Sequence, residues 1–310
     1  MGVSMPHQQR ETTMAIIMFM GVMLINTVVF SIVPQLSIPQ YGFSYHPFQI
    51  LLCYSAIATL CMLPWAIRQG RKGLATTRWK HYGIRAVLEY TAYALTITSL
   101  GYLGDDFTLP MHTAINFITP LLATVATILI LKEKGGTHTW IAMAAGVIGV
   151  IVITRPGMIP ASPGVLYVLG AAIGFSLCGV VIKLLCSTES PMHIAFYMLA
   201  MTTVLAIPLG VTHWTNPSAE GWAWLIGIGV ATFVVQVLVG KAIAKVPYMM
   251  LIPLNFTPLI FSTILSYLVY AKMIDGWTFA GAVIILIGTV YNAQRNRALA
   301  AREAIIASAV

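Results

Sequence analysis

Two nearly identical stretches, Asn116-Phe117-Ile118-Thr119-Pro120 and Asn255-Phe256-Thr257-Pro258, are each sunk in a long apolar run. An asparagine amide offers two donors and two acceptors, so it can hold a carboxylate, an amide or a ring nitrogen without burying a charge. Pro120 and Pro258, with Pro253 as a second break in the later stretch, lack a backbone donor and free a carbonyl one turn back. That either bends the helix or turns the carbonyl toward a ligand. The plainer alternative is that the amides hydrogen-bond between helices and hold them together.

Glu89 is the one carboxylate placed inside an apolar span. There it can bind a cationic substrate or shuttle a coupling proton; the competing reading is an i,i+4 ion pair with Arg85 at the inner boundary. Tyr90 and Tyr93 are three apart on one helix face, placed to stack on an aromatic or sulfonium-bearing ligand or only to satisfy their hydroxyls. Gln236 lies about three turns into a span with few other polar groups. Lys241 stands at that span's inner end, where snorkelling to the interface competes with a substrate role. His112 is one turn above Asn116, and His193 and Asn26 are weaker candidates of the same kind.

No catalytic signature accompanies these residues: HExxH, GxSxG and a Gly-rich phosphate loop are all missing from the sequence. Cys53, Cys61, Cys178 and Cys186 lack CxxC spacing, so they read as packing residues. Neither a metal nor a cofactor is expected.

The elements that must position these groups are membrane helices. Only 8% of the 310 residues are charged and 58% are hydrophobic, with mean hydropathy +0.86, far from a soluble domain's ~25% charged. At ~20 residues per crossing the apolar runs predict ten spans: 14–33, 48–67, 84–103, 108–131, 138–155, 164–184, 192–211, 222–241, 247–270 and 277–294. The first run has no small-residue cleavage site and is expected to stay as a span. With the N-terminus inside, Lys and Arg fall fifteen to the inner side and two, Arg155 and Lys272, to the outer. The positive-inside rule therefore puts both termini in the cytoplasm of an inner or plasma membrane, and it accounts for the net charge of +8 without nucleic acid. Trp65, Trp79, Trp140, Trp214, Trp222 and Trp277 mark span ends as an aromatic belt.

A constant shift of 139 carries Asn116 to Asn255, Phe117 to Phe256, Thr124 to Thr263, Leu129 to Leu268 and Gly149 to Gly288. Two copies of five spans force the second copy upside down. The predicted fold is thus an all-α integral membrane protein of two inverted five-helix repeats, 1–155 and 164–294, with 295–310 as a cytoplasmic tail. Asn116 and Asn255, each about eight residues from opposite ends of their spans, come ~12 Å deep, so the amides meet near one midplane layer. Small residues in the fifth and tenth spans (Ala142, Ala144, Ala145, Gly146 and Gly149 against Gly281, Ala282 and Gly288) read as scaffold or as a homodimer surface.

Further features follow in a fixed order. They are Arg85 after a basic loop, Pro120 with Glu133 thirteen residues on, Trp140 to Gly149 with the Arg155-Pro156-Gly157 exit, Ser187-Thr188-Glu189-Ser190-Pro191, and Asp275-Gly276-Trp277-Thr278-Phe279-Ala280-Gly281. Together, from about residue 14 to 294, they resemble the EamA-type family of the drug/metabolite transporter superfamily. The resemblance implies a ten-helix secondary carrier of small organic metabolites working by alternating access, with proton or counter-substrate coupling. The pattern's nearest branch includes carriers of S-adenosylmethionine and riboflavin, and the wider family includes amino-acid exporters. Lys272 stands where the second copy of the pattern has the counterpart of Glu133. The rival reading is a membrane enzyme acting on lipid headgroups or lipid-linked intermediates, which needs acidic or histidine residues paired at one bilayer boundary. A non-transporting sensor or assembly factor is the third.

Overall fold

The computed structural model describes residues 5–37, 43–100, 115–116, 118–133, 135–154, 163–258, 260–261, 264 and 276–309. Among these the chain forms helices α1 (Met5–Ser37), α2 (Pro47–Gly73), α3 (Trp79–Leu100), α4 (Thr119–Ala126), α5 (Thr137–Thr154), α6 (Pro163–Leu185), α7 (Pro191–Thr212), α8 (Ala219–Lys245), α9 (Tyr248–Leu251) and α10 (Gly276–Ala309). Stretches within α1, α2, α6, α7 and α8 are long and apolar enough to cross a membrane; Thr119–Leu131 and Thr137–Val152 are shorter apolar helices. Outward faces are apolar too, with Ile67 of α2, Leu166 of α6, Leu129 and, on α10, Ile287 all well exposed, the surface expected against lipid rather than water.

Several helices outrun the apolar ruler. α1 begins at Met5, α3 at Trp79 and α8 at Ala219, and α10 continues through the charged residues after 294 to Ala309. Hydropathy marks where charges stop, whereas a helix keeps its internal hydrogen bonds through the interface. Along α3, Glu89 lies ten residues from Trp79 and eleven from Leu100, at mid-helix.

The described residues of both Asn-Pro stretches include irregular backbone. Ile118 is a turn, Pro120 opens α4 in its first turn, and the run ends as a π-helical turn, Thr127–Leu131, with Lys132 left-handed at φ 55°. In the later copy α9 gives way to a 3-10 turn, Ile252–Phe256, opened by Pro253. A proline in a first turn costs no hydrogen bond, because its missing N–H had no partner in the helix.

The main packing pairs are α5 with α10, α3 with α6, α1 with α8, α2 with α7, α2 with α8, and α3 with α7. Exchanging each helix for the one five places along returns the same six pairs. Side chains repeat the relation. A Cβ on Gly149 would fall 2.8 Å from the Gly281 carbonyl oxygen and 2.4 Å from Ile285 Cγ1, while one on Gly288 would meet Ala145 Cβ at 2.6 Å and the Ala142 carbonyl at 3.5 Å. The small residues of α5 and α10 therefore face each other within one chain. In the α2–α7 pair, the Thr59 and Thr203 hydroxyls, 144 residues apart, meet at 3.3 Å. The same shift relates Pro47 to Pro191 and the mid-helix Pro64 to Pro208.

Candidate functional site

A buried polar cluster stands at the middle of α3. Arg85 is 2% exposed and Glu89 7%; Nη2 of Arg85 lies 3.6 Å from Glu89 Oε2 and donates to Gln236 Oε1 of α8 at 3.2 Å. Nε and Nη1 of the guanidinium and Oε2 of Glu89 have no hydrogen-bond partner, and 3.6 Å is too long to count as one. Rings close in from two more helices. Tyr93 faces Tyr54 of α2 at 6.3 Å and meets Phe175 of α6 edge-on at 5.3 Å. The Cys178 thiol is directed at the Arg85 carbonyl at 3.8 Å. Four helices thus bring a cation, an anion, an amide and three aromatic rings together.

Of the residues singled out in the sequence, Glu89, Tyr93 and Gln236 converge here. Tyr90 sits apart, with its ring 6.3 Å from Phe48. Lys241 is exposed, as a snorkelling side chain would be. Asn116 and Asn255 are half-buried and engage their own turns: Thr119 Oγ1 donates to the Asn116 carbonyl at 2.6 Å and to its Oδ1 at 3.1 Å, and Asn255 Nδ2 donates to the Ile252 carbonyl at 2.9 Å. Their segments touch, α4 against the 3-10 turn. Pro120 and Pro253 are buried and Pro258 half-buried. His112 and Lys272 lie outside the described residues.

Nothing in the sequence singles out Tyr54 and Phe175, and spacing offers Arg85 only as a partner for Glu89. What fixes the broken helix is equally unannounced. Glu133 Oε2 accepts from Met249 N at 3.0 Å and Asn292 Nδ2 donates to the Met250 carbonyl at 3.1 Å. Lys183 Nζ donates to the Ile243 and Val246 carbonyls at the end of α8, groups a helix C-terminus leaves open.

Two polar clasps flank the cluster at opposite ends of the α2–α7 pair. At one end Gln49, fully buried, pairs with Thr215 through three hydrogen bonds, Tyr45 Oη accepts from Ser218 N at 3.0 Å, and His46 stacks on His213 at 4.1 Å. At the other His193 Nε2 meets the Gly73 carbonyl at 2.6 Å, Thr76 donates to Glu189 at 2.5 Å, and Tyr197 donates to the Leu74 carbonyl. Gln49 and His193 stand at the same 144-residue shift as Thr59 and Thr203.

A helical fold of this arrangement is found among solved structures: one crystal structure, 14% identical, superposes with TM-score 0.72 over 95% of this chain and 99% of its own. The chain matches the EamA-like transporter family over residues 13–155 and 162–293, and it belongs to that family. Among its relatives is the S-adenosylmethionine uptake transporter of Rickettsia prowazekii (strain Madrid E), 25% identical over 81% of this chain and 84% of that one. The riboflavin transporter of Vibrio cholerae serotype O1 is 28% identical over 83% and 86%.

Proposed function

We propose that this chain is a secondary active transporter that moves a small polar organic metabolite, of S-adenosylmethionine, riboflavin or amino-acid type, across the inner membrane by alternating access. The observation that carries the reading is the mid-helix cluster of Arg85, Glu89 and Gln236, walled by rings and placed between two clasps. A carrier needs a site at the bilayer centre and a closable barrier on either side of it. The halves 1–155 and 164–294 act as inverted repeats, a relation supported by the exchange-invariant helix pairs and the reciprocal glycine contacts. Both termini are cytoplasmic, so the Gln49 clasp closes the outer end and the His193 clasp the inner. Asn116 and Asn255 border the path at the helix breaks, and Glu89 is the group through which a proton would couple.

The test is ligand-induced thermal stabilisation of purified protein across S-adenosylmethionine, riboflavin, amino acids and nucleosides, because a ligand that binds only the folded state raises its melting point. A compound that stabilises the wild type but not Glu89→Gln supports the reading. Stabilisation that survives Glu89→Gln, Gln236→Ala and Tyr93→Ala alike would put the substrate somewhere other than this cluster.

A further inference from the structure

We infer that Arg85 and Glu89 together read a zwitterionic α-amino-acid group, while Tyr54, Tyr93 and Phe175 hold the remainder of the same molecule; this rests on the carrier reading above. Arg85 has five N–H donors. Nη2 is engaged with Gln236 and the Glu89 side, whereas the one N–H of Nε and the two of Nη1 are buried and unanswered. Glu89 Oε2 is equally unanswered, and the two poles stand 3.6 Å apart rather than in a closed hydrogen-bonded pair. Leaving charged donors and acceptors buried and unmet is costly, so the pair is incomplete without a ligand that supplies an acceptor to one pole and a donor to the other.

The pair's opposite charges select that ligand. A simple anion would meet Arg85 but be repelled by Glu89, and a simple cation would suffer the reverse. A carboxylate and an ammonium on one carbon satisfy both poles at once and add no net charge to a low-dielectric site. Guanidinium geometry favours a carboxylate as the acceptor. The rings of Tyr54, Tyr93 and Phe175 offer π faces to an aromatic group or a soft cation beyond the amino-acid carbon. Gln236 acts as a positioning residue, holding the guanidinium through Nη2, the same nitrogen that faces Glu89, and leaving Nε and Nη1 for the ligand.

The experiment measures equilibrium binding of S-adenosylmethionine, of its decarboxylated analogue and of riboflavin to the full-length protein, together with uptake of each into proteoliposomes. The wild type should bind the amino-acid-bearing probe at least about tenfold tighter than the decarboxylated one, the scale of a charge-assisted hydrogen bond. Arg85→Lys keeps a cation beside Glu89 and should collapse that preference. Arg85→Gln/Glu89→Gln, neutral and monodisperse by size exclusion, should do the same. Equal binding of the two analogues by the wild type, or a preference untouched in both variants, overturns the inference, and riboflavin uptake in that case leaves the carrier reading in place. Absence of uptake for every probe overturns both.

Discussion

Among single residues, the buried and half-answered ion pair of α3 matters most. Removing one member leaves the other charge uncompensated, which typically costs ~3–5 kcal/mol. Glu89→Ala should therefore lower the melting temperature sharply, and the double Arg85→Gln/Glu89→Gln protein should recover most of that loss. If the single and double variants melt together, the two side chains are not energetically coupled. Asn116→Ala and Asn255→Ala bear on a different question. Each amide bonds within its own turn, so both proteins should remain folded while flux falls; normal flux in both would take the helix breaks out of the substrate path. Glu89 and Gln236 are legible in the sequence because polar groups in hydrocarbon are conspicuous. Tyr54 and Phe175 are not, because an aromatic ring in an apolar run carries no mark of which neighbour it will face. Arg85 reads from sequence as a counter-ion, since spacing along a helix reveals an i,i+4 pair but not the donors the pair leaves over.

Between elements, close approach and clasping dominate. Gly149→Ala would set a methyl against the Gly281 carbonyl, a backbone atom that cannot swing away; overpacking of this kind costs ~1–3 kcal/mol. The same substitution at Gly227, which has nothing within 4 Å of the added carbon, should be harmless. Differential melting of the two variants checks this. In the Gln49 clasp, burial and then the neighbouring His213 hold His46 below its ordinary value of 6.5. The folded state thus prefers the neutral ring, and the stabilisation is present above pH 6.5 and lost as pH falls. Melting temperature should drop on acidification in the wild type, and less so in His46→Gln; parallel curves would mean that the stacked pair contributes nothing. The repeated glycines and prolines mark these positions in the sequence as close-packed or broken, but a small residue does not name its partner. The small residues of α5 and α10 suit a scaffold and a dimer surface equally well, and only the three-dimensional pairing puts Gly149 against Gly281 and Gly288 against Ala145 inside one chain.

In the molecule as a whole, the five-place exchange of the main helix pairs and the matched positions of Gln49 and His193 are what the proposed pair of repeats would produce. If the two clasps are opposed gates, weakening one should bias the protein toward exposure on that side. Labelling of a cysteine placed at Tyr54 by a membrane-impermeant reagent should rise from the outside in Gln49→Ala and from the inside in His193→Ala. Identical labelling in the two variants would rule out opposed gates. The all-helical membrane plan is readable from the apolar runs, since the bilayer imposes these on sequence directly. Helix ends are less so, because α3 and α10 carry charges that a hydropathy ruler treats as loop. Counterflow probes transport through the α3 cluster most directly: proteoliposomes are preloaded with unlabelled S-adenosylmethionine or riboflavin, then offered the same compound labelled outside. A carrier built this way should show a transient accumulation above equilibrium for at least one of the two, abolished in Arg85→Gln/Glu89→Gln. Uptake no faster than in empty liposomes for both, or counterflow undiminished in that variant, would contradict it.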